Sequence, residues 1–173
     1  ELEKRSEPVM KHSRRVEELS VKLGEEIGLK ENDLERLAKA ARYHDIGKIS
    51  LEQEFRNKKY SELTDKEEEE LATHAETGYQ ILKELPDMTD VARIVLHHHE
   101  RWDGTGYPRG IKEENIPYLS RILSVANAYE YLTGEHYHPS RRLSRDEAIC
   151  ELESSAGNRY SPEIVKKFIN KIA

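Results

Sequence analysis

Along almost the whole chain, apolar residues return at three- and four-residue steps, the spacing of one face of an α-helix. Val16, Leu19, Leu23 and Ile27 mark a first helix from about residue 8 to residue 27, ended by Gly28. Leu34, Leu37, Ala38 and Ala41 mark a second, which runs into His44-Asp45 and stops at Gly47. Thr64-Asp65-Lys66-Glu67 has the form of a capping box and opens a third helix carrying Leu71, His74, Gly78, Ile81 and Leu82. Residues 91–99 and 122–132 are predicted as a fourth and a fifth. Ser144 with Glu147, and Ser161-Pro162 with proline at the favoured first position, open two shorter closing helices. The expectation is an all-α fold of about seven helices. At 173 residues the chain is long enough to bury a proper core as a single domain, 1–173.

Composition narrows the function classes. A formal net charge of −6 argues against a duplex nucleic-acid binder, which normally shows a basic face. A single cysteine, Cys150, excludes an internal disulfide and a thiolate metal cluster. No apolar run approaches the roughly 20 residues needed to span a bilayer, so membrane insertion of this segment is not expected. The first methionine is Met10 and no signal peptide is visible, so the expectation is a cytoplasmic, C-terminal piece of a longer chain.

Chemistry concentrates in imidazoles. His44-Asp45 lies in HDIGK, His74 stands alone, HHERWDGTGYP begins at His98, and His12 lies upstream. That makes six metal-ligand candidates from four helical segments. Neutral imidazoles with one carboxylate suit divalent transition metals, and one ion cannot easily use all six. The reading is a two-metal site, the usual apparatus for cleaving phosphate esters. Neighbouring residues diverge by about 100° on a helix, so His44 and Asp45 share an ion only near a helix end or kink, which Gly47 supplies. Asp45 is the natural bridge. His12, His44 and a residue of the fifth helix would serve one ion, and His74, His98 and His99 the other. Lys48 is placed to neutralise a phosphate oxygen. Asp103 is expected to orient one of the paired histidines. Gly104, Gly106, Tyr107 and Pro108 would form a tight loop beside the metals, within a glycine-rich stretch over 100–116 of the kind that tends to be functional. His97, offset by one residue, is expected to pack or face solvent.

At these residues the chain resembles the HD-GYP subgroup of the HD metal-dependent phosphohydrolases. The resemblance runs from about His12 to Phe168, and the HHExxDGxGYP string is its most specific part. It implies a helical bundle of the HD-domain type with a bi- or trinuclear centre, often iron or manganese, that hydrolyses cyclic di-GMP. It also implies a receiver or sensor module in the full-length chain, and a GYP loop associated with nucleotide cyclase contacts. Lys48, Asp103, Tyr107 and Arg121 are the substrate-binding candidates.

Three departures accompany the match. Asn127, in RILSVANAYEYLT, stands where the family pattern has an aspartate ligand. Asparagine can coordinate through its side-chain oxygen, but as a neutral and weaker donor, so weaker binding is expected at the ion held by His12 and His44. Pro8 stands four residues before His12, where trinuclear members supply a glutamate, and a third ion by that route is not expected. Where typical members carry basic residues for the dinucleotide's phosphates, this chain reads GEHYHPSRR, with His136 and His138 near those places and Arg141-Arg142 slightly later. The alternatives to a cyclic-dinucleotide phosphodiesterase are a degenerate module that binds nucleotide without turnover, and a partner-docking domain.

Overall fold

A computed structural model of the chain describes residues 2–51, 63–134 and 142–172, the first eight of these by backbone alone. Seven α-helices run through them: α1 (Leu2–Glu26), α2 (Glu31–Tyr43), α3 (Asp65–Lys83), α4 (Thr89–Leu96), α5 (Tyr118–Thr133), α6 (Arg145–Ser154) and α7 (Pro162–Lys171). Short 3₁₀ turns occupy Ile46–Ser50 and Glu113–Asn115. An isolated bridge between Ala156 and Tyr160 is the one pairing of extended backbone among the described residues. The fold is all-α, as expected. The readings at Pro8, His136, His138 and Arg141 lie outside the described side chains.

Local chemistry explains the boundaries. Thr64 Oγ1 accepts from Glu67 N while Glu67 Oε2 accepts from Thr64 N at 2.9 Å, closing the capping box that opens α3. Ser144 and Glu147 repeat the device for α6. Pro162 begins α7, where its missing N–H costs nothing. Past α1 the chain turns at Gly28 with φ +79°, and Leu29 N–H donates back to Gly24 O at 2.9 Å. Two ends differ from expectation. α1 begins at Leu2 rather than near residue 8, because residues 2–7 carry one apolar side chain and hence no readable period. α4 stops at Leu96, and His97 leaves the helix with φ −102° and ψ 11°. Continued as a helix, the segment would fan His98 and His99 about 100° apart. The turn lets both face one side.

α5 is the axis of the bundle. Ile122, Leu123, Val125 and Ala126 are all fully buried, so this helix is covered on more than one side. It packs against α1, α2, α4, α6 and α7. Val16 and Leu23 of α1, Leu37 and Ala41 of α2, Val95 of α4 and Phe168 of α7 share the same core. Burying a side chain such as Phe168 contributes about 1.5–3 kcal/mol. The core holds α1, α2, α4 and α5 around one buried space, with α3 laid against α4 and the first 3₁₀ turn.

Candidate metal centre

His44 is the C-cap of α2, and Asp45, with φ −97° and ψ 6°, leads directly into the 3₁₀ turn. The break supplies the kink that lets the adjacent pair face one point. Gly47 was expected to end the helix, but α2 already ends at Tyr43, and its role is spatial. A Cβ at position 47 would lie 1.9 Å from His74 O and 2.6 Å from Gly78 N. Only glycine lets the turn press against α3 closely enough to set Asp45 beside His74.

Three imidazoles are oriented by their own helices. His44 Nδ1–H donates to Ala41 O at 2.7 Å, His74 Nδ1–H to Leu71 O at 2.6 Å, and His98 Nδ1–H to Val95 O at 2.5 Å. Each acceptor lies three residues back, and each bond leaves Nε2 as the lone-pair nitrogen turned inward. His12 is different: its Nδ1 meets Glu130 Oε2, from α5. His12 Nε2 and His44 Nε2 then lie 3.3 Å apart. Asp45 Oδ1 sits 3.6 Å from His44 Nε2 and 3.7 Å from His74 Nε2, while Asp45 Oδ2 accepts from Lys48 Nζ at 2.7 Å.

Two ligand sets result. Donor atoms of His12, His44 and Asp45 lie within 4.8 Å of one another, and so do those of His74, His98 and His99. The sets adjoin: the His98 ring centroid is 5.4 Å from both His44 and His74. His74 Nε2 and His98 Nε2 are buried without a hydrogen-bond partner among the described residues. Buried polar nitrogens are normally satisfied, and two lone pairs facing each other at His12 and His44 have no proton to share. A cation resolves both. The residues present therefore fit divalent metal ions.

Electrostatics agree. Burial pushes the His44 imidazole down to about 4, against the opposing pull of Asp45. His74, His98 and His99 are likewise lowered, first by burial, so the rings stand in the neutral form that ligates. Burial alone would raise the Asp45 carboxyl, yet Lys48 and then His44, His74 and His12 hold it well below the ordinary value. It is a permanent anion between the two sets.

The remaining candidates fall around this core. Tyr107 N–H donates to His99 O at 3.2 Å, and the Tyr107 ring lies 5.0 Å from the His99 ring at 31°, which places the GYP loop beside the second set. Lys48 is 27 % exposed, at the rim. Asp103 is a correction. It is exposed and accepts from Thr105 N at 2.9 Å and Thr105 Oγ1 at 2.6 Å, shaping its own turn instead of orienting an imidazole. For His98 the Val95 carbonyl does that work. Arg121 lies over the rings of Tyr118 at 5.0 Å and Trp102 at 5.8 Å, tying α5 to the 100–116 loop. His97 is half-buried with Nδ1 3.4 Å from Glu100 Oε1, outside both sets. Asn127 is half-buried on α5, one turn before Glu130.

Sequence reasoning missed two buried carboxylates. Glu130 stands one turn after Asn127 on the same helix face, a spacing that could have flagged it. Glu100 follows the paired histidines, and its Oε1 accepts from Arg109 N at 2.8 Å, clasping the loop. Among the described residues no helix is long and apolar enough to cross a membrane.

Comparison with known proteins gives concordant findings. A family model described as HD domain matches residues 1–164. The chain is 38% identical over 161 residues to a cyclic di-GMP phosphodiesterase of Thermotoga maritima, covering 92% of this chain and 43% of that protein. It is 30% identical over 162 residues to 3'3'-cGAMP-specific phosphodiesterase 3 of Vibrio cholerae, covering 92% of this chain and 35% of that protein. It thus spans less than half the length of these relatives. A solved HDG"Y"P protein of Bdellovibrio bacteriovorus shares the fold with a TM-score of 0.75 at 21% identity, over 94% of this chain and 51% of that one.

Proposed function

This chain belongs to the HD domain family, and from that premise we propose that it is a metal-dependent phosphodiesterase hydrolysing a cyclic dinucleotide, cyclic di-GMP foremost. The observation that carries the reading is Asp45 Oδ1, 3.6 Å and 3.7 Å from one imidazole of each ligand set. His12, His44 and Asp45 would hold one divalent ion, and His74, His98 and His99 the second, with Asn127 a neutral donor candidate to the first. Iron and manganese suit this nitrogen-rich set with one hard oxygen. Bound there, such ions would supply Lewis-acid activation of water and neutralisation of phosphate charge.

The chain's own residues do the rest. Asp45 stays anionic because Lys48 sits on its outer oxygen. Lys48, at the rim, is within reach of solvent to meet a phosphate oxygen. Tyr107 offers a flat face beside His99 on which a base can stack. Arg121 braces the loop from which Asp103 and Tyr107 meet the substrate. The site works in the cytoplasm within a single domain, beside a receiver or sensor module, with the GYP loop also available to a nucleotide cyclase.

The test is anaerobic purification, elemental analysis, and assay of linear products from cyclic di-GMP with Mn²⁺ or ferrous iron. Metal-dependent release of the linear dinucleotide or GMP is expected, and no turnover with any metal overturns the reading. Asn127 favours a second reading, a module that binds the dinucleotide without cleaving it. Tight binding by a fully metal-loaded chain that yields no product would select it.

A further inference from the structure

Glu130 is 1 % exposed, and its Oε2 meets His12 Nδ1 across 118 positions of sequence. Its Oε1 is buried with no hydrogen-bond partner among the described residues. The space for that oxygen exists because position 134 is glycine, where a Cβ would lie 2.5 Å from it. A buried carboxylate with one unsatisfied oxygen is costly unless a positive charge compensates it. One turn earlier on the same face, Asn127 carries no charge. Lys48 opposes the one carboxylate of the ligand sets, Asp45, and Glu130 is the carboxylate that stands directly behind His12.

We propose that Glu130 is the positioning residue of the His12–His44–Asp45 set, holding His12 with Nε2 toward His44 and supplying the negative charge that Asn127 lacks. The inference rests on the metal-centre reading above. His44, His74 and His98 take their orientation from backbone carbonyls of their own segments. His12, by contrast, is oriented by a carboxylate, and it belongs to the set where the family pattern has an aspartate and this chain has Asn127. A carboxylate behind a ligating imidazole fixes its tautomer and raises its basicity.

The experiment is a calorimetric titration of the metal-stripped chain with Mn²⁺, with circular dichroism as a check on folding. The wild type should show two classes of site. Glu130→Gln keeps the shape and removes the charge, and should weaken one class by about 10–100-fold while sparing the other. Adding Asn127→Asp to Glu130→Gln should restore it. On a His12→Ala background, Glu130→Gln should leave the His74–His98–His99 class at its wild-type affinity, whereas a merely structural role would weaken both classes. Gly134→Ala displaces the carboxylate without altering it and should weaken the same class, which keeps the test open if Glu130→Gln does not fold. Two wild-type affinities in Glu130→Gln, or an equal loss in both classes, overturn the proposal. A wild type that takes up no Mn²⁺ overturns the metal centre itself, and the two failures are thereby distinguishable.

Discussion

The two ligand sets are built by different means. His74, His98 and His99 come from α3 and the turn after α4, two elements packed on each other, and His74 and His98 are each tied to the carbonyl three residues before them. Their orientation comes with the local backbone. His12 and His44 come from α1 and the end of α2, and His12 depends on Glu130 of α5, so that set exists only once three helices have docked. Asp45 groups with His12 and His44, and its Oδ1 also comes within 3.7 Å of His74 Nε2 in the other set. Locally determined ligands form a robust half-site, whereas ligands gathered over long sequence distances are tuned by whatever stands behind them.

The largest break should come at the shared group. Asp45→Asn keeps the volume and removes the bridging charge, and should cost both Mn²⁺ classes more than about 100-fold in calorimetry, because a direct ligand exceeds an orienting partner. His12→Ala and His98→Ala should each lose one class only, which separates the sets.

Metal removal comes next. At about 100 times the dissociation constant of a site, Mn²⁺ should stabilise the fold by about 2.7 kcal/mol for each site filled, or roughly 5–10 °C per site in a thermal melt, and a chelator should reverse this. The stripped chain should also become acid-sensitive. Folded His44 titrates at about 4 and His74, His98 and His99 below their ordinary value, whereas the unfolded chain takes up protons from about 6.5 downward. Stability is therefore complete above about 6.5 and falls as pH drops toward 4, by up to about 1.4 kcal/mol per pH unit for each such ring. Denaturant melts across that window measure the slope.

Gly47→Ala sharpens the comparison from the packing side. Its Cβ would collide with α3 backbone at 1.9 Å, so a loss of about 1–3 kcal/mol is expected together with weaker Mn²⁺ binding in both sets. The smallest effect should come from Thr64→Ala at the far end of α3. Loss of the cap costs about 1 kcal/mol in a chemical melt and should leave both Mn²⁺ affinities unchanged.

Much of this was legible in one dimension. The capping boxes at Thr64 and Ser144 and the proline at the start of α7 are local signals, and they gave helix starts that the structure bears out. The grouping of His12 and His44 apart from His74, His98 and His99 was legible too, because so few residue types ligate that their partition was constrained. Asp103 was misread. Proximity to the paired histidines suggested a carboxylate partner, but an aspartate in a glycine-rich turn bonds its own backbone more readily. Glu130 went unseen because a glutamate in an amphipathic helix normally reads as a solvated face.

By itself the sequence determined the helices, their order and the candidate donor residues, since periodicity, capping and side-chain chemistry act within a few residues. The tertiary structure alone decided that α5 is buried nearly all round, that Gly47 yields its space to α3, and that Glu130 stands behind His12. Each of these depends on which helix faces which, and that is settled by packing many apolar contacts at once across distant parts of the chain.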